Sequence, residues 1–139
     1  MTKKVEEIMV RSLQTAPPDT TLNAAAEQMS SKRIRHLPVV DPGSGKLLGI
    51  VSDRDLKRFS SPFAGSKSAT DRDNATLNVR LDKIMMKEVI TSKPADTAKS
   101  LVEKMLQKRI NAVIIVDDHT KPIGIVTTSD LLKILLTVF

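Results

Sequence analysis

The chain has no cysteine, tryptophan or tyrosine, and only three phenylalanines among its 139 residues. Without cysteine there is no disulfide framework, thiolate metal site or cysteine nucleophile, which suits a cytoplasmic protein. Aromatic residues make up 2% of the sequence, so the core has to be built from aliphatic side chains and from methionine, whose flexible thioether fills irregular gaps. The same scarcity removes the stacking platforms that single-stranded nucleic acid uses. Apolar runs such as residues 112–116 fall far short of the roughly 20 residues that cross a bilayer. The first residues, Met1-Thr2-Lys3-Lys4-Val5-Glu6-Glu7, turn acidic where a secretory leader turns apolar. The expectation is a cytoplasmic location and no membrane partner.

Catalytic signatures are missing as well. No Ser-His-Asp order, glycine-rich phosphate loop or metal-ligand spacing is present, so no catalytic residue and no metal site are expected and the chain does not read as an enzyme. Asp117-Asp118-His119 reads as a solvated turn. What is present is a globular composition, 40% hydrophobic and 27% charged, with a net charge of +6. That charge favours phosphorylated or polyanionic partners, although a modest lysine excess on a solvated face gives the same sum.

The dominant feature is an internal repeat. Offset by 76 residues, the segment 5–41 matches 81–117, aligning Ile8 with Ile84, Met9 with Met85, Thr21 with Thr97, Met29 with Met105, and Lys32-Arg33-Ile34 with Lys108-Arg109-Ile110. Offset by 75, Gly49-Ile50-Val51 matches Gly124-Ile125-Val126, and Asp55-Leu56 matches Asp130-Leu131. Each copy starts with a short amphipathic turn (5–9; 81–85) and a brief extended piece (13–15; 89–91) that stops at proline. A helix opening near Thr21 or Thr97 follows, then two strands (37–40 and 47–52; 113–116 and 123–127) and a closing helix (53–59; 128–136). The fold class is α+β, in the order β-α-β-β-α taken twice. The predicted domains are 1–60 and 80–139, joined by a polar, partly mobile linker over 61–79. Near-continuous apolar strands such as Val113-Ile114-Ile115-Val116 are expected to be buried on both faces.

Three stretches carry a family likeness: Arg35-His36-Leu37-Pro38-Val39-Val40-Asp41, Gly49-Ile50-Val51-Ser52-Asp53-Arg54-Asp55-Leu56, and Gly124-Ile125-Val126-Thr127-Thr128-Ser129-Asp130-Leu131. In order and at matching spacing, they make the chain resemble a tandem pair of CBS domains, or Bateman module. The resemblance implies a pseudo-twofold disc with two clefts that take adenosine nucleotides (AMP, ADP, ATP) or related adenosyl ligands, in a regulatory rather than catalytic role. It also implies that one cleft uses Thr127, Ser129 and Asp130 with Thr20, Ala25, Ile34, Arg35 and His36, the adenine lying beside Ile34. The other would use Ser52, Arg54 and Asp55 with Asp96, Ile110, Asn111 and Ala112. Asp96 stands where the first copy has Thr20, and its charge repels phosphate, so the Asp130 cleft is the stronger nucleotide site. The pattern neither requires nor excludes a Mg2+ companion ion.

The residues support this use without compelling it. Ser52 or Thr127 ends a strand and opens a helix, placing a hydroxyl and unpaired N–H groups at a positive helix end, and Asp55 or Asp130 one turn on can accept ribose hydroxyls. The same Ser/Thr-x-x-Asp spacing is close to a capping box, which stabilises a helix with no ligand at all. Lys32, Arg33, Arg35, Lys108 and Arg109 suit either a phosphate chain or the negative helix C-terminus. The alternative function is nucleic-acid binding through the basic surface. The apolar ending, Leu131 to Phe139, points to a homodimer, and with no effector domain in the sequence the signal would pass to a separate effector protein.

Overall fold

The duplicated sequence packs into two units whose limits cross those of the repeats. In a computed structural model that describes residues 3–139, the first unit is Gln14–Val89, and the second joins the stretch ending at Leu13 to Ile90–Phe139. The leading segment of each copy therefore packs with the body of the other.

The first unit contains α1 (Leu22–Lys32), β1 (His36–Val40), β2 (Leu47–Ser52), α2 (Asp53–Phe59) and α3 (Asp71–Ala75). Thr21 caps α1 by accepting the Ala24 N–H at 3.2 Å, and Leu22, Ala25 and Met29, at helical spacing, form its buried stripe. The helix ends at Arg33, which takes the left-handed conformation (φ 55°) usually left to glycine. β1 and β2 pair antiparallel, with His36 opposite Ser52 and Val39 opposite Gly49. Residues 79–86 dock on this body: Leu22 N–H donates to Val79 O at 2.7 Å, Leu81 N–H to Thr20 O at 2.9 Å, and Ile50 and Met86 exchange bonds of 3.0 and 2.9 Å. Leu81 thereby joins Leu37, Val39, Val51 and Leu56 in one buried cluster.

The second unit repeats this plan with β3 (Thr91–Ser92), α4 (Ala98–Lys108), β4 (Ala112–Val116), β5 (Pro122–Thr127) and α5 (Thr128–Leu135). Its sheet runs β3-β4-β5, parallel then antiparallel. Val113, Ile114, Ile115 and Val116 are all buried, as their near-continuous apolar run implies. The docking bonds are equivalent: Ala98 N–H to Lys3 O at 2.8 Å, Val5 N–H to Asp96 O at 2.8 Å, and a Val10–Ile125 exchange at 2.9 and 3.0 Å. Val5 and Met9 complete the second cluster with Leu101, Met105, Val113, Ile115 and Val126.

One expectation is corrected. The extended piece at 13–15 is not a strand; the first copy keeps only a bridge between Ala16 and Val39. Pro17-Pro18 follows at once and supplies no N–H to a ladder, whereas the second copy has room for Thr91–Ser92 before Pro94. The inter-copy stretch is structured. It holds α3 and a 3-10 turn at Thr76–Asn78, nucleated by a Thr70/Asp73 capping box and tied back by Ser61 Oγ to Asp73 Oδ1 at 2.7 Å and Ser61 N–H to Thr76 Oγ1 at 3.1 Å.

Candidate functional site

The turn from β5 into α5 holds three of the expected site residues. Thr127 N–H and Thr127 Oγ1–H both donate to Asp130 Oδ2 at 2.8 Å, and Asp130 N–H donates back to Thr127 Oγ1 at 3.3 Å. The capping box is therefore real, and it occupies the Thr127 hydroxyl in both directions. Thr128 N–H donates to Asn111 O at 2.9 Å, which fixes the expected residue Asn111 against the helix start. Among the described residues, no hydrogen bond is made by Asp130 Oδ1 or by the Ser129 N–H. One carboxylate oxygen and one backbone donor thus remain in the first turn of an eight-residue helix, at its positive end. Chemically, that pair can accept a ligand hydroxyl and donate to an anionic oxygen.

The turn from β2 into α2 starts from the same box and ends differently. Ser52 N–H donates to Asp55 Oδ2 at 2.9 Å, Asp55 N–H to Ser52 Oγ at 3.1 Å, and Asp53 N–H to Arg35 O at 2.9 Å. Here the remaining donor, Arg54 N–H, is taken by Asp53 Oδ1 at 2.9 Å. Asp53 stands where the second copy has Thr128, so this helix start has no N–H to spare and carries an extra negative charge. The sequence reasoning missed Asp53; comparing it with Thr128 across the repeat was the signal that could have found it.

The other expected residues divide between the units. Thr20, Ala25, Ile34, Arg35 and His36 belong to the first, and Asp96, Ile110, Asn111 and Ala112 to the second. Ala25 is fully buried in the first cluster, beside partly buried Ile34. His36 pairs with Ser52, and Ala112 with Thr127, so each strand start is fixed beside the helix turn of its own unit. Asp96 is held in a local turn, its Oδ2 accepting the Lys93 N–H at 2.8 Å. Thr20 makes no such bond among the described residues and is half-buried.

Electrostatics separates the groups further. Burial holds the His36 imidazole below its usual pKa, opposed by Asp53 and Asp55 and assisted by Arg35. Lys32 and Lys108 occupy the last turns of α1 and α4, where they complement the helix dipole. Arg33, Arg35, Arg54 and Arg109 are exposed and join no ion pair among the described residues. The net positive charge is shared equally by the two units, and no group of metal-ligating side chains occurs among the described residues. Among the described residues, no helix is long and apolar enough to cross a membrane.

Comparison with known proteins matches the sequence profile of the CBS domain at residues 5–61 and again at 81–137. Protein MJ1225 of Methanocaldococcus jannaschii is 33% identical over 130 residues, covering 93% of this chain and 46% of that protein. A CBS domain-containing protein of Dictyostelium discoideum is 32% identical over 135 residues, covering 96% of this chain and 92% of that one. The chain spans less than half the length of the first curated relatives it matches. Among solved structures, the CBS domain pair of protein MJ0100, in complex with 5′-methylthioadenosine and S-adenosyl-L-methionine, superposes with a TM-score of 0.81 at 26% identity over the full length of both chains.

Proposed function

The chain belongs to the CBS domain family, and from that premise we propose that it is a non-catalytic regulatory module whose signal is an adenosyl ligand. The observation that carries this reading is the Thr127–Asp130 turn, with Asp130 Oδ1 and the Ser129 N–H uncommitted after the cap is made. In the proposed mode Asp130 accepts ribose hydroxyls, and the Ser129 N–H with the α5 dipole receives the anionic group. Ile34 takes the adenine, while Thr20, Ala25, Arg35 and His36 complete the set. The second set, Ser52, Arg54 and Asp55 with Asp96, Ile110, Asn111 and Ala112, is the weaker site, because Asp53 has taken its donor and Asp96 adds charge. The complex of MJ0100 supports the ligand class. The alternative, nucleic-acid binding through the basic surface, predicts affinity that falls steeply with salt and is indifferent to adenosyl ligands.

Thermal shift with S-adenosylmethionine, 5′-methylthioadenosine, AMP, ADP and ATP, the nucleotides with and without Mg2+, tests the reading. A ligand at a hundred times its dissociation constant stabilises by about 2.7 kcal/mol, several degrees in a protein of this size. No shift with any of them would remove the sensor reading. Ligand energy reaches an effector only through its differential affinity for two arrangements of the protein. For the assembly that responds we propose a homodimer through α5 and its C-cap, where Leu132, Leu135 and Leu136 are 58%, 42% and 74% exposed at i, i+3, i+4 spacing. Light scattering that gives a monomer across micromolar concentrations contradicts the dimer and leaves the ligand reading intact.

A further inference from the structure

A groove of about 540 Å³ lies at the C-terminal end of α2, lined by Lys57, Arg58, Ser60, Ser61 and Pro62. Lys57 and Arg58 are exposed and take part in no ion pair among the described residues. The three phenylalanines are absent from both hydrophobic clusters, and two of them adjoin this groove in sequence, Phe59 at 44% and Phe63 at 57% exposure. Phe63 is exposed without being loose. Its N–H donates to Ser61 Oγ at 3.3 Å, its carbonyl accepts the Ser66 hydroxyl at 2.7 Å, and Ser61 is itself tied to Asp73 and Thr76. Burying either ring in a core would have gained hydrophobic free energy, and arginine with aromatic side chains is the composition that dominates binding surfaces. Of the lining residues only Pro62 falls outside the stretches matched by the CBS profile, so the groove sits where the first copy ends and the inter-copy stretch begins.

We propose that this groove docks a short acidic segment of a partner protein, its carboxylates meeting Lys57 and Arg58 and an apolar side chain lying against Phe63 and Phe59. Two unpaired cations, with two exposed phenylalanines next to them in sequence, match a few carboxylates around an apolar anchor. A nucleic acid draws its affinity from many phosphate contacts, and two cations supply few. The surface lies at the opposite end of α2 from the Ser52–Asp55 turn and gives the module a means of holding the protein it regulates.

The test is a 15N NMR titration of the full chain with the acetylated, amidated heptapeptide Asp-Glu-Leu-Phe-Glu-Asp-Glu. Its Asn/Gln counterpart and a twelve-nucleotide oligo-dT are run alongside. The expected result is saturable shifts confined to residues 57–63 and their contacts at 61–76, weakened by salt. The dissociation constant should rise about tenfold in Lys57→Glu/Arg58→Glu, a loss of roughly 1.4 kcal/mol. A comparable rise is expected in Phe63→Ser, an exposed change that leaves the rest of the spectrum in place. Four results overturn the proposal: no saturable shift, equal binding of the uncharged peptide, tighter binding of oligo-dT in the groove, or the same shifts on raising protein concentration alone.

Discussion

Gly49→Ala should destabilise the protein by about 1–3 kcal/mol, the usual range for overfilling a tight site. A Cβ at Gly49 would stand 2.6 Å from Met85 Sδ, 2.7 Å from Met85 Cγ and 2.9 Å from the Met86 carbonyl oxygen. The thioether can swing away. The carbonyl cannot, because it accepts the Ile50 N–H at 3.0 Å while Met86 N–H donates to Ile50 O at 2.9 Å, so relief requires β2 to part from the docked segment. At the equivalent Gly124 the nearest backbone atom, Val10 O, is 3.2 Å away and the side-chain contact is Met9 Sδ at 2.7 Å, a crowding that a few tenths of an ångström relieves. Gly124→Ala should therefore cost less than Gly49→Ala. Gly43→Ala, whose nearest neighbour is Asp41 Oδ2 at 3.5 Å, should stay within about 0.5 kcal/mol of the parent. Urea unfolding followed by circular dichroism measures all three at a common slope. An order in which Gly124→Ala is the costliest, or in which Gly49→Ala behaves like Gly43→Ala, would refute the exchange of leading segments between the copies.

Arg33→Gly and Arg109→Gly should each stabilise by roughly 0.5–1 kcal/mol, since both arginines hold left-handed φ values of 55° and 53° that glycine adopts without strain; urea midpoints that fall in both variants would show that the arginines contribute more than the strain they cost. Burial holds His36 below its usual 6.5 in the folded state. The unfolded chain therefore takes up the proton first, and stability present above pH 6.5 is lost as pH falls through the lower folded value. His36→Gln should flatten the unfolding midpoint over that window, and an unchanged slope would remove the assignment. Asp73→Ala breaks the α3 capping box and the Ser61 tie together, at a cost of about 1 kcal/mol for the cap; hydrogen exchange should quicken over 61–76 and leave β4 and β5 protected.

Much of the fold could be read because the repeat reports most elements twice. Thr21 and Thr97 marked the helix starts, and the apolar runs marked β1 and β4, since periodicity and caps are local properties. The exchange of leading segments was not legible. Val5 and Leu81 are equally apolar, and nothing in either says which body it enters; that choice depends on how the chain closes in space. α3 was hidden because its residues are polar and only its Thr70/Asp73 box signals a helix. At the site, the box spacing predicted the caps and left their alternative use open. The difference between the two turns came from Asp53, whose side chain reaches back to the next N–H, a contact that a residue pattern carries only when the copies are compared position by position.

The central claim is that the Thr127–Asp130 turn, with an oxygen and a donor left over from its cap, holds the ligand more strongly than its twin. Calorimetric titration of whichever adenosyl ligand gives the largest thermal shift, into the parent, Asp130→Ala and Asp55→Ala, tests it most directly. The two variants lose equivalent caps, so ligand-free stability should fall by similar amounts. Binding should separate them, with Asp130→Ala weakening affinity tenfold or more, about 1.4 kcal/mol, and Asp55→Ala leaving the stronger site within a factor of about three of the parent. Equal losses in the two variants, or a greater loss in Asp55→Ala, would contradict it.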